Sequence, residues 1–253
     1  MGVNSLCAAS FLVGLLTVLP TTVLPDESTV NRLSFSLAAE YSEGNYGGDQ
    51  THQLWFVPLK LELETDLWRA SISSAYLDAN TEPATDGQLL GRQASGDGDV
   101  ILALTYQHPF KLPGQIYIDF ANRLTIPTED HPSAISYGLY QWNSRLDWFR
   151  PAQRFALFGS VGYRWFERHA TSTVQDGATL SIGINKALSD RWSTAISVET
   201  RQSSHAGSPD AVEWIPSLSW QPARGPGVSI YAVIGTNHSS PEYALGLQFQ
   251  FKR

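Results

Sequence analysis

Residues 54–64 read LWFVPLKLELE, and from Trp55 onward one parity holds Trp55, Val57, Leu59, Leu61 and Leu63 while the other ends in Lys60, Glu62 and Glu64. Strict alternation over this length is the period of a half-buried strand. What the stretch leaves open is the side on which the core lies. In a soluble barrel the leucines and Trp55 would point inward; in a membrane barrel they would point out to lipid, and Lys60 and Glu62 would face an interior lumen. Leu54 and Phe56 share the charged parity, so that interior would be partly apolar.

The rest of the chain decides between the two. Period-two patterning continues almost unbroken from Asn31 to Phe251 and predicts twelve strands, at 31–43, 51–64, 66–78, 98–108, 115–126, 135–148, 153–168, 175–188, 191–203, 210–221, 227–238 and 241–251. Their connections sort by parity. Breaks at Thr65, 109–114, 149–152, 189–190 and 222–226 are short, whereas 44–50, 79–97, 127–134, 169–174 and 204–209 are more polar and tend to be longer; only 239–240 breaks the rule. Short turns at one end and long polar loops at the other are the habit of an outer-membrane barrel. All eight tryptophans (55, 68, 142, 148, 165, 192, 214 and 220) fall on the apolar parity, all but Trp142 near a predicted strand end. Tryptophan at both rims of an outward apolar band is an interfacial girdle. The opposite parity is small and polar, for example Ser71, Ser73 and Ala75, or Thr179, Ser181 and Gly183. The fold expected is therefore all-β, a closed antiparallel up-and-down transmembrane barrel of about twelve strands over residues 31–251.

Composition narrows the function classes. The 253 residues are 42% hydrophobic and 16% charged with net charge −7 and no cluster of Lys or Arg, which argues against a nucleic-acid partner. The one cysteine, Cys7, lies in an apolar leader-like stretch; residues 1–25 are expected to be a signal peptide, although no Lys or Arg precedes the apolar core. A chain without that segment has no thiol for catalysis, and the scattered histidines offer no ligand spacing, so neither a metal nor another cofactor is expected.

Two motifs add a resemblance. "GDGDVILALTYQ" (Gly96–Gln107) and "LTIPTED" (Leu124–Asp130), with a last strand pair closing in "YALGLQFQF" (Tyr243–Phe251), resemble the proteins grouped as the MetA pathway of phenol degradation and their outer-membrane transporter relatives. The resemblance implies a Gram-negative outer-membrane location, lipid and lipopolysaccharide around the barrel, and passage of small, often apolar or aromatic solutes. The final strand is similar to the signal read by barrel-assembly machinery, although Lys252 and Arg253 follow the last aromatic residue.

Candidate functional residues follow from the inward parity. Glu40, Arg123, Arg164, Glu199, Arg201 and Glu213 are expected in the outer half of the lumen, and Lys60, Glu62, Arg69, Arg145 and Asp147 in the other half, with Asp119 among them. Opposed rings of charge select solutes and orient dipolar ones; the alternative is that these groups pair with one another and only satisfy a narrow interior. Gly96, Asp97, Gly98 and Asp99 are expected to mark the descent from the long 79–97 loop into the barrel rim, and that loop is a candidate constriction. Besides a passive channel, two other functions are open. One is a lipid hydrolase using His238 and Ser240, two apart on one lipid-facing side, although Glu242 sits on the wrong parity to orient the base. The other is a structural or surface-binding barrel with a plugged lumen, its function carried by the outer loops; the acids in and beside those loops, such as Glu43, Asp49 and Asp210, lack the D-x-D-x-D-G spacing of a cation loop and are expected to serve solvation.

Overall fold

The computed structural model describes residues 31–46, 51–81, 93–108, 111–128, 138–167, 174–204 and 207–252. The leader expected over 1–25 lies outside them. Among the described residues there is no helix, and thirteen strands form one sheet. They are β1 (Arg32–Gly44), β2 (His52–Glu64), β3 (Trp68–Thr81), β4 (Gln93–Asp97), β5 (Val100–Gln107), β6 (Tyr117–Ile126), β7 (Gln141–Ala152), β8 (Phe155–Phe166), β9 (Gly177–Ala187), β10 (Trp192–Arg201), β11 (Ala211–Trp220), β12 (Gly227–Gly235) and β13 (Tyr243–Lys252). Chain neighbours pair antiparallel, except that β4 and β5 both pair with β3 and not with each other, and β1 also pairs with β13, from Ser34 opposite Lys252 to Glu43 opposite Tyr243. The sheet is thus closed, a twelve-stranded barrel with one extra strand.

The extra strand comes from a break in the wall. The upper part of β3 pairs with β4, Tyr76 opposite Asp97, and the lower part with β5, Ser73 opposite Ile101. Ser74 and Ala75 therefore face three residues, Gly98, Asp99 and Val100, and the surplus residue is a β-bulge. The wall is close-packed there: the amide of Gly98 donates to Ala75 O at 2.7 Å, and a Cβ would sit 2.3 Å from Leu77 Cδ1, so a larger residue would have to push the Leu77 side chain aside. This corrects the expectation for Gly96–Asp99. The motif does not lead out of a loop; it lies inside the wall, because Gln93–Asp97 extends the hairpin upward. The bulge also inverts parity, so Gly96 opposes the buried Leu77 and Asp97 opposes the exposed Tyr76.

The outer face is apolar as the alternation predicts. Trp55, Trp68, Trp142, Trp165, Trp192 and Trp214 are exposed, with Leu59, Leu61, Ile182, Ile230 and Leu245 between the rims. Aromatic pairs gather at both ends: Tyr41–Trp55 at 5.3 Å and Tyr163–Trp165 at 4.9 Å toward the long loops, Trp68–Tyr106 at 5.0 Å and Trp192–Trp220 at 6.3 Å toward the short turns. Trp142, mid-face by the sequence boundaries, is the second residue of β7 and so belongs to the upper girdle. Its indole N–H donates to Ser144 Oγ at 3.0 Å, and Ser144 donates to Asn122 Oδ1 at 2.7 Å, which satisfies two polar side chains on an otherwise apolar surface. Lys186 lies over the Phe155 ring at 5.4 Å, near the end that carries the termini.

Loop parity is also cleaner than the sequence boundaries allow. β12 stops at Gly235 and β13 starts at Tyr243, so the one exceptional connection, 239–240, becomes 236–242. The reason is close packing: a Cβ on Gly235 would lie 2.1 Å from Pro241 O, so the chain folds back over this glycine and does not run on as a strand to His238.

Candidate functional site in the barrel lumen

Inward side chains come from every strand, and they divide the lumen wall. From β2 to β7 the lining is charged: Lys60, Glu62, Glu64, Arg69, Asp119, Arg123, Arg145 and Asp147. From β8 round to β1 it is rich in serine, with Ser160 bonded to Ser181 at 2.7 Å and Ser219 to Ser229 at 2.9 Å. Buried apolar side chains interrupt both in the upper half: Leu54, Phe56 and Leu77 on β2 and β3, and a cluster of Ile215, Tyr231, Val233 and Ala244 on β11 to β13.

Most of the charges are answered within the wall itself. Lys60 Nζ lies 2.5 Å from Glu62 and Arg145 Nε 2.6 Å from Asp147, each pair two residues apart on one strand. Arg69 reaches back from β3 to Glu64 of β2 at 3.0 Å. Arg201 of β10 pairs with Glu213 of β11. Arg164 donates to Ser204 Oγ at 2.8 Å and to Gln202 O at 3.0 Å. None of these contacts crosses the lumen; they lie along it, so charge pairing lines the wall without bridging it.

Glu40 is held most tightly. It is 1% exposed, and its Oε2 accepts the Tyr231 hydroxyl at 2.6 Å. In register, Tyr231 of β12 faces Gly246 of β13, which faces Glu40 of β1. The tyrosine ring therefore crosses over the glycine to reach the first strand, and a Cβ on Gly246 would sit 2.1 Å from Tyr231 Cζ. This bond spans the closing seam between the last strand and the first. Glu40 Oε1 has no hydrogen-bond partner among the described residues.

Arg123 and Glu199 differ from all of these. Both project inward, Arg123 opposite Ala103 and Asn143, Glu199 opposite Ser181 and Glu213, and both are partly exposed. Neither side chain makes a hydrogen bond, nor an ion pair within 4.0 Å, among the described residues. Arg123 lies within electrostatic reach of Arg145 and Asp147 on β7 and of Glu199 on β10. Asp119, beside Asp147 in register, faces the same charged wall near Arg69.

Asp99 is engaged with the neighbouring strand. Thr128 donates its amide to Asp99 Oδ1 at 3.4 Å and its hydroxyl to Asp97 O at 3.0 Å. The two sequence motifs, Gly96–Asp99 and the Pro127-Thr128 end of β6, are thus one structural unit beside the bulge.

His238 and Ser240 are not brought together. His238 is exposed, while Ser240 is 1% exposed, its hydroxyl accepting from Val212 N at 3.1 Å and lying 3.3 Å from Val212 O. The shared lipid-facing side expected for them does not exist, because β12 has already ended at Gly235 and Ser240 turns inward. A nucleophile needs a base in hydrogen-bond reach, and Ser240 has none in His238.

No protein-family model matches the chain, and no curated protein matches it. Solved structures do. An outer membrane channel from Pseudomonas putida F1 superposes with a TM-score of 0.69 at 13% identity, over 91% of this chain and 100% of that one. The NanC porin gives 0.60 at 10% identity, over 86% and 98%. The KdgM porin in complex with disordered oligogalacturonate gives 0.54 at 8% identity, over 87% and 97%. At these identities the likeness is one of fold, and the fold is that of outer-membrane β-barrels.

Proposed function

We propose that this chain is a passive channel in the outer membrane of a Gram-negative bacterium, admitting small solutes through the barrel lumen. One observation carries the reading. Inside a closed barrel with an apolar, tryptophan-rimmed exterior, the strands present serines and charges, among them Arg123 and Glu199, which are partly exposed and without a hydrogen bond or ion pair among the described residues. An unanswered charge in a dry interior costs several kcal/mol, so a lumen that keeps two of them is filled with water. The neighbours in fold described as channels and porins support the same conclusion.

Within this reading, solute class follows from the lining. Leu54, Phe56, Leu77 and Val233 are buried and offer no surface to a solute, so the partly exposed polar and charged side chains meet it, and an apolar or aromatic body is what the family resemblance alone suggests. The aromatic rims face lipid and lipopolysaccharide, and the alternating Tyr243, Leu245, Leu247, Phe249 and Phe251 are the segment that barrel-assembly machinery engages. The purified chain in planar lipid bilayers is expected to give stepwise ion currents. A membrane that stays sealed while the protein is folded and inserted contradicts a channel and favours a plugged barrel.

A further inference from the structure

Most lumen charges have a described partner along the wall or across one or two strands, as Lys60 has in Glu62, Glu40 in Tyr231 and Arg164 in Ser204, whereas Arg123, Glu199 and Asp119 have neither a hydrogen bond nor an ion pair among the described residues; Asp119 stands beside Asp147 in the charged wall near Arg69, which leaves Arg123 and Glu199 as the exceptional pair. The exceptional pair sits on β6 and β10, with β7, β8 and β9 between them in the sheet. With three strands between them, the attraction between the two acts across the lumen and not along the wall. Lys60, on β2 on the other flank of β6, also lies within electrostatic reach of Arg123. The wall between the two is cut back: Gly162 opposes Arg145 and Thr179, and Ser181 opposes Ser160 and Glu199.

Two fixed charges of opposite sign that face each other through water attract a solute carrying both. Its carboxylate matches the planar fork of a guanidinium, and its ammonium matches a carboxylate. A singly charged ion gains at one end and is repelled at the other, and a neutral solute gains at neither. We infer that Arg123 and Glu199 form a binding station for small zwitterions of the amino-acid class, Arg123 taking the carboxylate and Glu199 the ammonium. This rests on the channel reading above. Because both side chains are only partly exposed and each offers a single charge, binding is weak, as conduction requires: a site favourable enough to enter and weak enough to leave.

The test is swelling of proteoliposomes containing the purified chain, in β-alanine, in neutral erythritol and in sodium propionate, against protein-free liposomes. The wild type is expected to admit β-alanine at least about twofold faster than erythritol or propionate, the scale of one hydrated charge contact at each end. R123Q and E199Q should each abolish that preference, and the exchange R123E/E199R should restore it, since a zwitterion binds equally well turned round. Heat-modifiable migration on a gel verifies that each variant is folded. Entry of all three solutes in order of size alone, or a preference that survives either single variant, overturns the inference while leaving a channel in place. Exclusion of every solute, erythritol included, overturns the channel reading and this inference with it.

Discussion

Glu40 and Arg123 project into the same lumen from strands read by the same alternation, yet the structure uses them in opposite ways. Glu40 is sealed at the seam, bonded to Tyr231 across Gly246 and 1% exposed. Arg123 projects into the lumen, partly exposed, and meets neither a hydrogen bond nor an ion pair among the described residues. The difference lies in what stands opposite. Glu40 meets a glycine and then a tyrosine, so a ring folds over the gap and covers it; Arg123 stands between Ala103 and Asn143, too short to cover a guanidinium. Inward charge by itself does not make a selectivity site. An inward charge that its neighbours cannot reach does.

The sharpest way to break this contrast is Gly246→Val. The added side chain occupies the space of the Tyr231 ring at the one junction that closes the barrel, so overpacking of about 1–3 kcal/mol is expected together with the lost Glu40 bond. Loss of heat-modifiable migration, or a clear drop in Tm, measures it; removal of the ring in the double variant G246V/Y231A should recover part of the loss. Tyr231→Phe is the next largest. It leaves both Glu40 carboxylate oxygens without a partner, since Oε1 already lacks one, at a cost of about 1–3 kcal/mol, with conductance unchanged. A Y231F barrel as stable as the wild type would show that the seam bond does nothing.

Arg123→Gln should do the reverse. Stability is expected to stay within about 0.5 kcal/mol, as no described contact is lost. The reversal potential in a salt gradient should shift toward cations. A unit charge about 5 Å from a passing ion in water is worth roughly 0.8 kcal/mol, about a fourfold local enrichment of anions that the variant forfeits. The shift should shrink at 1 M salt, where the Debye length falls to about 3 Å.

The chain's alternation was sufficient to read the barrel because each strand meets two unlike solvents, lipid and lumen, and every residue must declare for one. Trp55 to Leu63, Lys186 and the inward Lys60 and Glu62 are all where that alternation puts them. What it could not give were events that change the count. The surplus residue at Gly98–Val100 reverses the facing of Gly96 and Asp97, and the fold-back of Pro241 over Gly235 turns Ser240 inward. Both hinge on a glycine whose partner lies on another segment, and local pattern carries no record of that partner. β4 was hidden for a related reason: QASGD has no apolar alternation, and pairing with β3 alone makes it a strand. The lumen charges were legible as a set but not as individuals. Tyr231 and Glu40 are 191 residues apart and meet only because the first and last strands join, while Arg123 and Glu199 stand out only once the pairs around them are known.

The most direct test uses the scarcity of thiols, since Cys7 is the one cysteine in the chain. In a C7S background, R123C and E40C are each reconstituted in planar bilayers and exposed to a membrane-impermeant, positively charged thiosulfonate reagent. The account predicts that R123C is modified, with a stepwise fall in current, and that E40C under the Tyr231 ring is not. Modification of both at similar rates, or an R123C that never reacts in a folded barrel, contradicts a water-filled lumen with one charge sealed and one free.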